Sequence, residues 1–91
     1  MNLNVDLIGM PRMYAKAKGC TLEMPTQATY RDIVRTLASM YPDLAGTIIV
    51  KNTFDLEKGY MLLVEGIREI AGLESQPKEG EQITLMAGSI C

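Results

Sequence analysis

The chain has 91 residues, a net charge of −2 and 47% apolar residues, enough for one small domain with a single core. Lys and Arg are scattered rather than gathered in a basic stripe, and Phe54 with four tyrosines offers few rings for stacking on bases, which argues against a nucleic-acid partner. There is no histidine, which excludes histidine-based triads and histidine zinc sites, and two cysteines, Cys20 and Cys91, cannot hold a four-cysteine iron–sulfur cluster.

Residues 2–8, "NLNVDLI", place Leu3, Val5 and Leu7 on one face and Asn2, Asn4 and Asp6 on the other, which predicts a half-buried strand. "GMPR" (9–12) breaks it, and a short, loosely helical "MYAKAKG" leads to "CTLEMP" (20–25). There Leu22 and Met24 are expected inward, on a second strand paired with the first. In "TYRDIVRTLASMYP" (29–42), Ile33, Val34, Leu37, Met40 and Tyr41 recur at helical spacing. Thr29 is the expected N-cap, and Asp32 three residues on makes a variant of the capping box. Pro42 cannot continue the helix and should end it.

"DLAGTIIVKNTFDLEKG" (43–59) is the least readable segment, with a short strand expected at Thr47–Val50 and a turn at "LEKG". "YMLLVEG" (60–66) carries a continuous apolar run and reads as a central strand buried on both sides. A short strand or turn and a polar connection fill 67–80, and "EQITLM" (81–86) closes the chain's regular structure. This order predicts an α+β domain: a mixed sheet of four or five strands, an early hairpin, one main helix across the sheet, and a last strand returning to the middle. The run at 60–64 is too short to span a bilayer, and the acidic N-terminal stretch lacks the apolar core of a signal peptide; a cytosolic protein without a membrane partner is the expectation.

The element order resembles the β-grasp, or ubiquitin-like, fold. Four stretches extend the likeness to the small sulfur carriers, namely the small subunit of molybdopterin synthase and the thiamine-pathway carrier: "VDLIGMPRMYA", "MPTQATYRDIVRTLASMYPDL", "LLVEG" and "AGLESQPKEGEQITLM". In the last, Glu79-Gly80-Glu81 stands where that family has Asp-Gly-Asp. The resemblance implies a carrier rather than an enzyme, with no cofactor of its own. It also implies two kinds of partner: an adenylating enzyme that activates the carboxyl terminus, and a sulfur acceptor or synthase large subunit that receives the sulfur.

Such carriers end in Gly-Gly, because a tail without Cβ atoms threads a narrow channel. Here the tail, expected over 87–91 and able to extend about 17 Å, reads "AGSIC", with Gly88 as its one glycine and β-branched Ile90 near the end. Three readings stay open. Removal of the last three residues would leave Gly88 terminal, or a partner would accept the cysteine-ended tail, and either keeps the chain a carrier. Cys91 would instead hold sulfur as a persulfide, although the adjacent carboxylate raises a thiol's pKa. Or the tail has no role, and the chain is a non-conjugating interaction module that has lost the diglycine chemistry.

The resemblance also places Cys20 and Cys91 at the same end of the sheet. A disulfide between them needs Cα atoms within about 6 Å, against which stands the reducing cytosol. Of the seven methionines, Met24, Met40 and Met61 are expected in the core. Met10 and Met86, with Ile8, lie in the first loop and beside the tail, where carriers of this family present an apolar patch to the activating enzyme; ordinary packing is the competing reading. Glu79 and Glu81 are expected to be a solvated turn.

Overall fold

The computed structural model of the protein describes residues 1–70 and 72–88. Seven regular elements succeed one another: β1 (Asn2–Leu7), α1 (Met10–Ala15), β2 (Gly19–Glu23), α2 (Tyr30–Met40), β3 (Tyr60–Val64), β4 (Arg68–Glu69) and β5 (Gln82–Ala87). The strands form one sheet in the order β2-β1-β5-β3-β4. β1 and β5 are parallel, whereas β1–β2, β3–β5 and β3–β4 are antiparallel. The last strand thus lies in the middle, as its element order predicts.

β1 alternates as its sequence dictates, with Leu3, Val5 and Leu7 at most 1% exposed and the polar residues between them in water. Its partner β2 pairs Leu22 with Leu3 and Cys20 with Val5. Between them α1 begins three residues earlier than expected and ends before the expected Gly19. Pro11 sits in its first turn, where a missing N–H costs nothing and the fixed φ favours the helix. Lys16, at φ 58°, closes it by donating its N–H to the Arg12 carbonyl at 2.8 Å.

The main helix α2 has both halves of its capping box. The Asp32 N–H donates to Thr29 Oγ1 at 3.3 Å and the Thr29 N–H to Asp32 Oδ2 at 3.0 Å. Its first two N–H groups donate to the carbonyls of Ser75 and Leu73, so the loop before β5 completes the cap. Tyr30, Ile33, Val34, Leu37 and Ala38 are buried against the sheet. Met40 is not: it is 45% exposed. At 100° per residue it stands roughly 90° from the centre of the apolar stripe, on the helix's flank. Thr29→Ala is expected to cost about 1 kcal/mol, seen as a melting temperature lower by roughly 4–8 °C.

Residues 47–50 do not form a strand. After a 3-10 turn at Pro42–Leu44, Ile49 makes only isolated bridges to Ala45 and Leu56, while Ile48 and Ile49 point together into the core with no exposed surface. Side chains of α2 hold the loop beyond them. Arg31 donates to the Thr53 carbonyl at 2.7 Å and pairs with Asp55 at 2.6 Å and Glu74 at 2.7 Å, and Arg35 lies 5.3 Å over the Phe54 ring. The Arg31 guanidinium and a hydrogen bond from Thr53 hold the Asp55 carboxyl below its ordinary range.

β3 is likewise not buried on both sides. It lies next to the sheet's margin: Leu62 and Val64 are buried and Tyr60, Met61 and Leu63 only half-buried. Met61 belongs to the outer face rather than to the core, because its cross-strand partner is Met86.

Candidate functional site

The end of β5 is where the chain leaves the sheet. Ala87 is still paired with Tyr60, and the Gly88 N–H donates to the Gly59 carbonyl at 2.6 Å. The expected tail therefore loses its first two residues to the sheet. Ser89, Ile90 and Cys91 lie outside the described residues, and with them the candidate role of Cys91 and its pairing with Cys20. A Cβ built on Gly88 would stand 3.5 Å from the Gly59 carbonyl oxygen and from Met61 Sδ, an ordinary contact. The fold itself does not require glycine there.

Ile8, Met10 and Met86 surround this exit to different degrees. The Ile8 N–H donates to the Leu85 carbonyl at 3.1 Å, one residue beyond the Leu7–Leu85 pair, so Ile8 flanks Met86 on the outer face. Ile8 is 42% exposed and Met86 half-buried. Met10, 39% exposed, lies beyond the Gly9 turn at the head of α1, which packs against both the 3-10 turn and β5. Sequence reasoning missed Met61 and Leu63, which extend this apolar surface from β3 opposite Met86 and Thr84. Only the register of β3 on β5 reveals them, and no local signal carries that register.

Cys20 is half-buried at the start of β2. Burial raises its thiol pKa, while a hydrogen bond with Tyr41 pulls the other way and offsets part of that rise. The Cys20 thiol is thus the opposite of an activated nucleophile. Among the described residues no cluster of three His, Cys, Asp or Glu side chains is placed to hold a metal ion, and no helix is long and apolar enough to cross a membrane.

Glu81 overturns the expectation of a solvated pair. It is 7% exposed, and its Oε1 accepts the Tyr30 hydroxyl at 2.5 Å inside the protein. Burial and the Glu81 carboxylate push Tyr30 up to about 12, and Arg68 nearby offsets part of that rise. Glu79 is exposed, and its Oε2 accepts the Asn2 N–H at 3.0 Å.

A five-stranded mixed sheet with a parallel β1–β5 pair at its centre, an early hairpin and one main helix packed across it defines a ubiquitin-like β-grasp protein. Solved structures of that fold superimpose on nearly the whole chain. Small archaeal modifier protein 1 from Haloferax volcanii is 17% identical, with a TM-score of 0.83 over 98% of this chain and 97% of its own. A Pyrococcus furiosus protein described as molybdopterin converting factor subunit 1 is 16% identical, with a TM-score of 0.80 over 98% and 99%. A chain of the BexX/CysO complex from Amycolatopsis orientalis is 16% identical, with a TM-score of 0.70 over 98% of each. No family model and no curated protein matches the sequence.

Proposed function

We propose that the chain is a cytosolic sulfur-carrier-type protein, not itself an enzyme, whose carboxyl terminus is activated by an adenylating enzyme and carries sulfur to an acceptor for cofactor biosynthesis. One observation carries this reading: the chain leaves the sheet from the end of its central strand, beside an apolar surface formed by Ile8, Met61 and Met86. A partner that grips this surface receives the tail directly into its own site. The likeness in fold to a modifier protein, to a molybdopterin converting factor subunit and to a chain from the BexX/CysO complex supports it. Gly88 would lie at the mouth of the partner's channel, and Ile8, Met10 and Met86 on the docking surface.

A second reading, a non-conjugating interaction module, draws on Gly88. Its N–H is tied back to Gly59, and a side chain would fit at its position, so the glycine carries no evident structural demand.

Intact mass of the protein purified from its own cells, with and without reductant, separates the two. A gain of about 16 Da that survives reductant marks a thiocarboxylate, and one of about 32 Da that reductant removes marks a persulfide on Cys91. Loss of residues 89–91 marks processing to Gly88. The carrier reading further expects ATP–pyrophosphate exchange with the cells' adenylating enzyme, weakened in a Gly88→Ala variant of unchanged melting temperature. An unmodified full-length chain inert in that exchange leaves the interaction module.

A further inference from the structure

Six large apolar side chains are exposed among the described residues, and four of them fall within residues 8–14: Ile8 at 42%, Met10 at 39%, Met13 at 67% and Tyr14 at 36%. Three of the four lie in α1, whose amphipathicity is reversed. Pro11 is buried and Ala15, four residues on, packs against the core. Met10, Met13 and Tyr14, at the i, i+3, i+4 spacing of one helix face, stand in water instead. A surface helix ordinarily turns its larger apolar residues inward, so a stripe of this kind on the outside marks a contact surface.

The charge beside this face is one-sided. From Leu7 to Leu22 the chain carries Arg12, Lys16 and Lys18 and no acidic residue, in a protein whose net charge is −2. Hydrogen bonds gather the three. The Leu7 N–H donates to the Lys18 carbonyl at 2.8 Å, Arg12 Nε donates to the Leu7 carbonyl at 2.9 Å, and the Lys16 N–H donates to the Arg12 carbonyl at 2.8 Å. All three side chains are exposed, and among the described residues none has a carboxylate within 4.0 Å. The neighbouring elements bring Asp6 on β1 and Asp43 in the 3-10 turn on which α1 packs, one carboxylate fewer than the cations, and Asp6 already accepts from Gln82 Nε2 at 2.8 Å. Arg12 is also preset. The Leu7 carbonyl holds its Nε, while its two terminal nitrogens make no hydrogen bond among the described residues. Such a fork grips a carboxylate with little further loss of side-chain freedom.

We propose that the outward face of α1 docks an acidic, partly apolar segment of a partner protein. One partner carboxylate lies on the Arg12 fork, a second near Lys16 and Lys18, and an adjacent apolar side chain covers Met13 and Tyr14. Charge complementarity selects an acidic occupant, and the apolar stripe selects a polypeptide, because a free anion leaves Met13 and Tyr14 in water. An anionic bilayer or a nucleic acid would meet, beyond the patch, a protein of net negative charge that repels it. The cations lie on the β2 side of β1, whereas the chain leaves the sheet from β5 on the other side. The inference therefore holds for a carrier and for an interaction module alike, with Met10 bordering both surfaces.

The test is an amide chemical-shift titration of the intact chain with the peptide acetyl-Glu-Leu-Asp-Phe-Glu-amide, beside its uncharged analogue acetyl-Gln-Leu-Asn-Phe-Gln-amide. Saturable shifts confined to residues 10–18 are expected with the acidic peptide, weakening as salt is raised from about 0.05 M to about 0.5 M. Lys18→Glu and Met13→Ser should each lower its affinity about threefold, and together about tenfold. Both side chains are exposed, so the melting temperature should stay unchanged, and either single variant serves if the double one does not fold. The proposal is overturned by absent shifts, by equal affinity for the uncharged peptide, or by equal affinity in both single variants. Inorganic phosphate alone producing the same shifts at the same concentration would also overturn it, marking a site for free anions. So would tighter binding to phosphatidylserine vesicles or to a single-stranded oligonucleotide than to the peptide, which would give the face to a membrane or a nucleic acid.

Discussion

Tyr30→Phe is expected to lower stability by about 2 kcal/mol, and the melting temperature by roughly 8–16 °C. The hydroxyl it removes donates to a carboxylate that is 7% exposed, so Glu81 would be left buried without that partner. Hydrogen bonds to charged groups are worth more than neutral ones, and the larger part of the loss is the uncompensated desolvation of the group left behind. Replacing both members, Tyr30→Phe with Glu81→Leu, should therefore recover much of what the single change loses. If the double variant is no more stable than Tyr30→Phe alone, the pair is not the source of the effect. The same contact sets an alkaline limit. Tyr30 is raised from 10.0 to about 12, so the folded state holds the phenol proton more tightly than the unfolded chain does. The stability this contributes is fully present below pH 10 and is lost as pH rises through about 12. Urea denaturation between neutral pH and the alkaline limit should show a decline in the native protein, of roughly 3 kcal/mol in all, that is largely absent in Tyr30→Phe.

Gly19→Ala should be comparably damaging for a different reason. Gly19 opens β2 at φ 159° opposite Asp6, and a Cβ there would stand 2.2 Å from the Val5 carbonyl oxygen and 3.1 Å from the Asp6 Cα. Both obstacles are backbone, so no side chain can swing aside. The edge strand must move off β1, at a cost of roughly 2–4 kcal/mol. Amide exchange should accelerate first at Leu7, whose N–H donates to the Lys18 carbonyl at 2.8 Å, and along residues 19–21. Exchange unchanged at these amides, with stability intact, would show that β2 accommodates the methyl group without leaving its partner.

How much the sequence disclosed depends on the range of the interactions involved. Thr29 and Asp32 lie three residues apart, and the alternation of β1 is contained within six residues, so both were legible. The central position of β5 came from element order. Glu81 was misread because its partner Tyr30 is 51 residues away; two glutamates around a glycine look like a polar turn until the helix is laid over them. The stretch from 43 to 59 resisted for a similar reason. Phe54 adopts a positive φ that its residue type does not advertise, and Arg31 and Arg35 of α2 hold that loop from outside it. Ile8, Met10 and Met86 were candidates only through the family resemblance, and what the structure adds is their place around the exit of β5. Met61 and Leu63 needed a strand register, which no local pattern carries.

The parallel pairing of β1 and β5 bears on how the protein responds to mechanical load. A pull on the chain beyond Gly88 runs along β5, whose register with β1 holds from Gln82 to Leu85 and with β3 from Ile83 to Ala87. Those rungs lie across the line of force and resist it together, so rupture requires many to fail at once, and its rate is governed by the barrier to unfolding. The opposite margin behaves as a zipper: β4 is held to β3 at Leu63–Glu69 and Val64–Arg68 alone and can be peeled a pair at a time. Traction applied at the tail therefore meets the sheet in its stiffest direction, and the same force applied at β4 meets it in its weakest.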